Sequence, residues 1–324
     1  MSEVLFVSQN PLGRCENLTA VWDMYGGGKS FRHGVDGMRS AEKDGFDAVV
    51  CDCLPAFIEG KGRTVSINIC HAVTGNKYYG LHEGFDWYDR DAFAQTDIAT
   101  AASEQSIGIV AGQLGIPESR IAVTGLPRTD ICFGTSKGDG GTVLAEKRAY
   151  LYIPTFRNPD LGGWLPRIDW AKLDSMLGDD EVIAVKRHYF TEKPLLDKVL
   201  GHIVELDPNE PSMQYMVDCD VLVSDYSSAI FDGYLMGKPS VLTTDDMDDY
   251  LRDRPMYYEF PGFYGSRYCI AEGNEERLLD SMRDAAENGM GEADIACMEA
   301  VAGACDGHST ERVCELIENV LEAM

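Results

Sequence analysis

VLVSDYSSAIFDGYLMGKP, residues 221–239, holds a strand, a polar turn and a helix in one unbroken run. Val221–Ser224 is short, apolar and β-branched, as a strand buried on both faces must be. Ser224-Asp225-Tyr226-Ser227-Ser228 breaks that run with turn-forming side chains. A helix over Ser228–Met236 follows, and Gly237-Lys238-Pro239 stops it and launches the next apolar run. Strand, helix, strand in this order is the repeating unit of a parallel sheet covered by helices. The helix starts with unpaired backbone N–H groups beside two hydroxyls. That pattern suits a phosphate and suits a plain serine cap equally well.

The same alternation extends in both directions. Further strands are expected at Val4–Ser8, Ala48–Cys53, Thr64–Cys70, Ile98–Ala101 and Ile121–Thr124, then at Tyr150–Ile153, Val182–Lys186, Ile203–Leu206 and Ser240–Leu242. Helices are expected over Glu104–Leu114, with Ser103 as cap, and over Ser212–Cys219. Gly134–Thr142 (GTSKGDGGT) has no large apolar residue and reads as a flexible linker between two sets of about five strands. After Asn274 only helices are expected. The fold class is therefore α/β: two Rossmann-like doubly wound domains facing a cleft, over residues 1–140 and 141–324, with terminal helices that cover the hinge or cross back to the first domain.

Composition narrows the function. The chain has 324 residues, 44% hydrophobic, with 28 basic against 54 acidic residues and a formal charge of −26. Such a surface repels polyanions, so a nucleic-acid partner is not expected. No apolar run reaches the roughly 18 residues a membrane span needs, and the N-terminal stretch lacks the basic region of a signal peptide. A cytoplasmic protein is expected. The ten cysteines include no CxxC pair and sit in apolar settings, so reduced core cysteines are expected and no metal site.

Ligands in doubly wound sheets bind outside the carboxyl ends of strands, which directs attention to the polar residues there. Thr155 and Arg157 follow the strand in LYIPTFRN (151–158), where an arginine can grip a phosphate through two N–H groups or simply lie on the surface. Lys186, Arg187 and His188 close VIAVKRHYF (182–190), as phosphate donors or as solvated charge. His71 follows the apolar strand in TVSINICHAVTGNKYYG (64–80), with Lys77 beyond it. A histidine titrates near neutrality and suits proton removal from a hydroxyl, although many such histidines are structural. Arg128 in VTGLPRTD (123–130) and Arg312 in CDGHSTERV (305–313) are cleft candidates or local braces.

Two tempting patterns fail. Gly26-Gly27-Gly28-Lys29-Ser30 ends like a P-loop, but position 23 is Asp23 where the pattern needs glycine. The six histidines include no HExxH spacing, and no GxSxG elbow occurs.

Taken together, VTGLPRTD, YIPTFRN, VKRHYF, VSDYSSAIFDGYLMGKPSVL and CDGHSTERV resemble, in order, segments of the CDP-glycerol glycerophosphotransferase family, the teichoic-acid primases and polymerases. The similarity covers roughly residues 64–312; the family's His-Gly motif reads His71-Ala72 here, and Lys77 sits about one residue further on. The resemblance implies a GT-B-type fold and transfer of glycerol phosphate or another polyol phosphate from CDP-glycerol or CDP-ribitol to a lipid-linked or polyol-phosphate acceptor. CMP leaves, at the inner face of the cell membrane. It implies His71 as base, with His188, Arg157 and the helix N-terminus at Ser227 and Ser228 stabilising the developing charge. It places the donor's phosphates and ribose with Thr155, Arg157, Arg187, Ser227, Ser228 and Asp232, and Lys77, Arg128 and Arg312 in the cleft. No cofactor is required, although a magnesium ion on the donor diphosphate is compatible with so many carboxylates. The rival readings are a GT-B glycosyltransferase using a nucleotide sugar and a non-catalytic nucleotide-binding relative.

Overall fold

The structure is a computed structural model describing residues 2–8, 11–13, 16–34, 45–52, 64–70, 77, 93–157, 165–188, 191 and 193–324. The chain divides into one unit of Met1–Phe133 with Glu299–Met324 and a second of Gly134–Met298. Each is built on its own six-stranded, wholly parallel sheet.

In the first unit the strands are β1 (Glu3–Ser8), β2 (Gly28–His33), β3 (Ala48–Cys51), β4 (Val65–Asn68), β5 (Ile98–Ala101) and β6 (Ile121–Val123), in the order β2-β1-β3-β4-β5-β6. Helix α1 (Glu16–Met24) and the C-terminal helix share one core with this sheet: Leu18 and Val21 pack with Val4, Phe6, Val50 and Ile67, and with Val313 and Ile317. Helix α2 (Ile107–Leu114) supplies Val110 and Leu114 to a further cluster with Ala99 and Ala101. It is preceded by a short 3₁₀ turn that Ser103 caps reciprocally with Ser106.

In the second unit the strands are β7 (Arg148–Ile153), β8 (Glu181–Val185), β9 (Ile203–Glu205), β10 (Val221–Ser224), β11 (Ser240–Thr243) and β12 (Tyr268–Cys269), in the order β12-β11-β10-β7-β8-β9. Side-chain alternation along β7 divides two cores. Tyr150 and Tyr152 pack with α3 (Trp170–Asp174) and α7 (Glu275–Asn288), while Ala149 and Leu151 pack with Met216 of α4 (Met213–Asp218). Helices α5 (Ala229–Leu235) and α6 (Met247–Asp253) follow β10 and β11. Helix α8 (Glu292–Ala302) carries the chain back to the first unit, where α9 (Ser309–Glu322) ends it. The second sheet starts in its middle with β7, runs out through β8 and β9, then returns to β10 on the other side. Its switch point thus lies between the carboxyl ends of β7 and β10.

Three sequence expectations need correction. Strand β2 was not foreseen because it is a half-exposed edge strand with Phe31 as its only large apolar residue. The two-residue β12 is likewise an edge strand too short to show a pattern. Gly134–Thr142 is not a loose tether: the N–H groups of Gly138, Gly140 and Thr142 and the Thr142 hydroxyl all donate to the fully buried Asp218 carboxylate. Burial alone would raise the Asp218 pKa, but these donors outweigh it and hold the carboxyl below its usual range. The glycines let the backbone wrap closely around an anion.

The rejected P-loop resolves in the same way. Lys29 lies in β2, and its ammonium donates to the carbonyls of Trp22 and Tyr25 (2.7 Å for the latter) at the end of α1. It is a C-terminal helix brace. The eight described cysteines are buried.

Candidate functional site

At the switch point Ile153 of β7 pairs with Ser224 of β10, and the Ser224 hydroxyl donates to the Ile153 carbonyl at 2.6 Å. Beyond that pair the two chains stay tied. Asp225 Oδ1 accepts the N–H of Thr155 at 2.8 Å and of Tyr226 at 2.6 Å. Thr155 is buried, and among the described residues its Oγ1 has no hydrogen-bond partner. A buried hydroxyl without a partner costs free energy and is a natural place for a ligand oxygen.

The Arg157 side chain is buried, 3% exposed. Nε and Nη2 fork onto Asp246 at 2.7 and 3.0 Å, Nη2 also meets Asp225 Oδ2 at 3.0 Å, and Nη1 donates to the Thr155 carbonyl at 2.6 Å. The guanidinium lies over the rings of Tyr250 and Tyr226, at 4.5 and 5.2 Å, which themselves stack 3.8 Å apart. Burial would lower its pKa, but Asp225 and Asp246 more than compensate and keep the charge in place. Burial likewise pushes the Tyr226 phenol well up.

Ser227 and Ser228 follow directly. Ser227 Oγ accepts the Ala229 N–H at 3.2 Å, whereas Ser228, at the N-cap position of α5, makes no capping bond with its side chain. The expected serine cap is thus made by one of the two hydroxyls. Asp232 is buried on the same helix.

At the end of β8 the three successive cationic candidates separate. The Lys186 ammonium is buried and donates to the Asp207 carbonyl at 2.7 Å, with burial lowering its pKa. Arg187 pairs with Glu205 of β9 at 2.9 Å and donates to the Thr191 carbonyl. His188 stays with the switch-point residues, its ring 4.6 Å from that of Phe156. Arg254, which follows α6, lies 4.7 Å over the same Phe156 ring.

The first-unit candidates behave differently. Arg312 donates from Nε to the Thr124 carbonyl at 2.8 Å, from Nη2 to the Ala304 carbonyl at 2.6 Å, and pairs with Asp306. Asp130 accepts from Ser309 N–H, Thr310 N–H and the Thr310 hydroxyl at 2.9, 2.7 and 2.6 Å. The VTGLPRTD and CDGHSTERV segments are therefore one brace. Arg128 N–H donates to Asn17 Oδ1 at 2.9 Å, and its guanidinium faces Glu16 at 3.7 Å. The Lys77 carbonyl accepts from the Gln113 amide. His71 lies outside the described residues. Cys70 before it takes a left-handed conformation (φ 54°), with its N–H held by Asn68 and its carbonyl by Asn17.

The structure brings Thr155, Arg157, Ser227, Ser228 and His188 to the carboxyl ends of neighbouring strands β8, β7 and β10, turns Arg187 away to Glu205, and uses Arg312 within the first unit. Sequence reasoning passed over Asp225, although it lies within the stretch quoted at the outset. It also missed Asp246, 89 residues from Arg157 in an acidic run with no local signal. Among the described residues no group of three or more histidine, cysteine or acidic side chains is arranged to hold a metal ion.

Comparison with known proteins agrees with this architecture. The family model described as CDP-Glycerol:Poly(glycerophosphate) glycerophosphotransferase matches residues 49–319. A teichoic acid ribitol-phosphate primase of Bacillus spizizenii is 27% identical over 298 residues, covering 83% of this chain and 73% of the relative. The Staphylococcus aureus teichoic acid ribitol-phosphate polymerase TarL is 27% identical over 267 residues, covering 76% and 46%. This chain therefore spans about half the length of that polymerase and of its counterpart TarK. The solved structure of the wall teichoic acid polymerase TagF superposes with a TM-score of 0.76 at 17% identity, covering 99% of this chain and 89% of that one, so the two share a GT-B-like fold. With most of its length matched by that family model, the chain belongs to the CDP-glycerol:poly(glycerophosphate) glycerophosphotransferase family.

Proposed function

We propose that this chain transfers glycerol phosphate, or a related polyol phosphate such as ribitol phosphate, from a CDP-activated donor to an acceptor hydroxyl, in the synthesis of teichoic acid or a related envelope polymer. The observation that carries this reading is the second sheet's switch point, where among the described residues Thr155 Oγ1 is buried without a partner and β10 leads through Ser227 and Ser228 into α5. The second unit is the donor side and the first the acceptor side.

The acceptor oxygen attacks the phosphorus that bears the polyol, and the bond from that phosphorus to the CMP oxygen breaks. His71 takes the hydroxyl proton. Charge that builds on the phosphoryl oxygens and on departing CMP is met by His188 and the hydroxyls of Thr155, Ser227 and Ser228. Asp232 serves the ribose. Such a donor is cytoplasmic and a lipid-linked acceptor lies at the membrane, so the protein works peripherally on the inner face; among the described residues no helix is long and apolar enough to cross a membrane.

The test is CMP release from CDP-glycerol and CDP-ribitol with a polyol-phosphate or lipid-linked acceptor, alongside thermal shifts with CMP and UDP-glucose. Stabilisation by a CDP-polyol with CMP release is expected. Stabilisation by UDP-glucose alone, without CMP release, overturns the reading. His71→Ala is expected to lower kcat at least ~100-fold with CDP-glycerol binding retained, and Ser228→Ala and His188→Ala to raise the donor KM.

A further inference from the structure

Arg157 has the sequence context of a phosphate ligand and the geometry of something else. We propose that Asp225, Asp246 and Arg157 form a positioning cluster that fixes Thr155 for the phosphate oxygens of a nucleoside-diphosphate donor, without Arg157 touching the donor. The inference rests on the donor-site reading above and assigns the residues that shape it.

The connections form a closed circuit. Asp225 holds the Thr155 N–H with one oxygen and meets Arg157 with the other, while Arg157 returns to the Thr155 carbonyl. Both backbone polar groups of Thr155 are thereby fixed, and its Oγ1 is the polar atom left over. Asp246 anchors the far side of the guanidinium through the two-bond fork, and the Tyr226 hydroxyl donates to Asp246 at 3.2 Å. The circuit ties together the exits of β7, β10 and β11.

Asp246 supplies an independent sign of its task. It occupies the N-cap position of α6, where an aspartate ordinarily accepts from its own helix, yet it makes no capping bond. The local role is given up for the arginine. A fork on one carboxylate, a third contact on another and two aromatic faces leave the guanidinium fixed in its plane.

Charge makes the proposal testable by sign. Two carboxylates face one guanidinium. If Arg157 were held in reserve for the diphosphate, removing a carboxylate charge would free it and tighten donor binding. If the cluster acts through Thr155, the same change loosens the clamp and weakens binding. Calorimetric titration of the full chain with CDP-glycerol, with melting temperature measured in parallel, separates these. Asp246→Asn and Asp225→Asn are each expected to raise Kd about tenfold. Thr155→Val is expected to match them and Thr155→Ser to stay within about twofold of the unaltered chain. Tighter binding by the aspartate variants overturns the proposal, and so does an unchanged Kd with only a lowered melting temperature. If Asp225→Asn fails to fold, Asp246→Asn, whose side chain is 16% exposed, and the Thr155 pair decide the matter. An unaltered chain that binds no CDP-glycerol overturns the donor-site reading and this inference with it; a chain that binds and tightens on substitution overturns this inference alone.

Discussion

Two strand exits carry similar residues and spend them differently. After β6, the Gly125–Asp130 stretch puts a proline, an arginine and an aspartate on the loop; after β7, Pro154–Arg157 puts a proline, a threonine and an arginine there. In the first, Asp130 caps α9 and Arg312 of α9 returns to Thr124, so residues about 180 positions apart in the chain close one joint. In the second, Arg157 reaches Asp225 and Asp246 around the switch point of the second sheet. Composition does not distinguish the two exits. Strand order does: β6 is the edge of its sheet, where a returning helix can be fastened, while β7 is central and borders the crevice where such sheets receive ligands.

If the first exit is a joint, its substitutions strike stability and spare turnover per folded molecule. Gly125→Ala is the most severe. Gly125 has φ 80°, and an added Cβ would collide with Ser309 Oγ and lie 2.8 Å from the Ala304 carbonyl oxygen. Strain and overlap together predict a loss of about 3–4 kcal/mol, read by urea denaturation. A normal denaturation midpoint with lost activity would erase the contrast between the exits. Asp130→Ala removes three donors' shared acceptor and is expected to cost about 2–3 kcal/mol, with the donor KM unchanged.

How much of this was legible in sequence follows from the same contrast. The parallel-sheet class was legible, because strands buried on both faces, such as Val221–Ser224, must be apolar throughout. Strand β2 was not: an edge strand buries little and Gly28–His33 carries no alternation. That Thr155 and Ser227 stand at strand exits was legible, because polar residues directly after apolar strands stand out. The job of Arg157 was not, since local sequence cannot tell an arginine facing solvent from one paired with a carboxylate 89 residues away. Gly134–Thr142 misled for a related reason. Glycines that free a chain and glycines that let it wrap a buried carboxylate look alike until Asp218 is seen among them.

The opposite end of the second sheet sharpens the comparison through pH. Glu181, at the start of β8 and away from the strand exits, accepts from Arg283 Nε at 2.9 Å and also from Arg283 Nη2, from Tyr150 at 2.8 Å and from Gly178 N–H at 2.9 Å. The Arg283 bonds chiefly hold its carboxyl down to about 2, against the opposing effect of burial. A carboxyl whose folded pKa lies below its unfolded one stabilises above the unfolded value. That contribution is lost as pH falls from about 4.5 towards 2. Glu181→Gln is therefore expected to cost about 2 kcal/mol at pH 7, with the gap to the unaltered chain closing below pH 4.5. Donor binding at neutral pH should not change, because Glu181 is at the end of the sheet that ligands do not use. A gap independent of pH would mean that the Arg283 pair is not its source.

The smallest effect tests whether a phosphate-binding pattern in the first unit is spent entirely on structure. Lys29 follows three glycines, and its ammonium sits on the Trp22 and Tyr25 carbonyls and 4.7 Å over the Trp22 ring. Those carbonyls are acceptors that a helix end leaves without intrahelical donors, and a cation there also meets the negative end of the helix dipole. Lys29→Met keeps the alkyl packing, removes the charge, and should cost about 1 kcal/mol. Neither CDP-glycerol nor ATP should bind differently, since a lysine committed to two carbonyls has no reason to face a phosphate. A measurable loss of nucleotide affinity in Lys29→Met would place a phosphate site on the first sheet, and the division of labour between the two strand exits would then have to be redrawn.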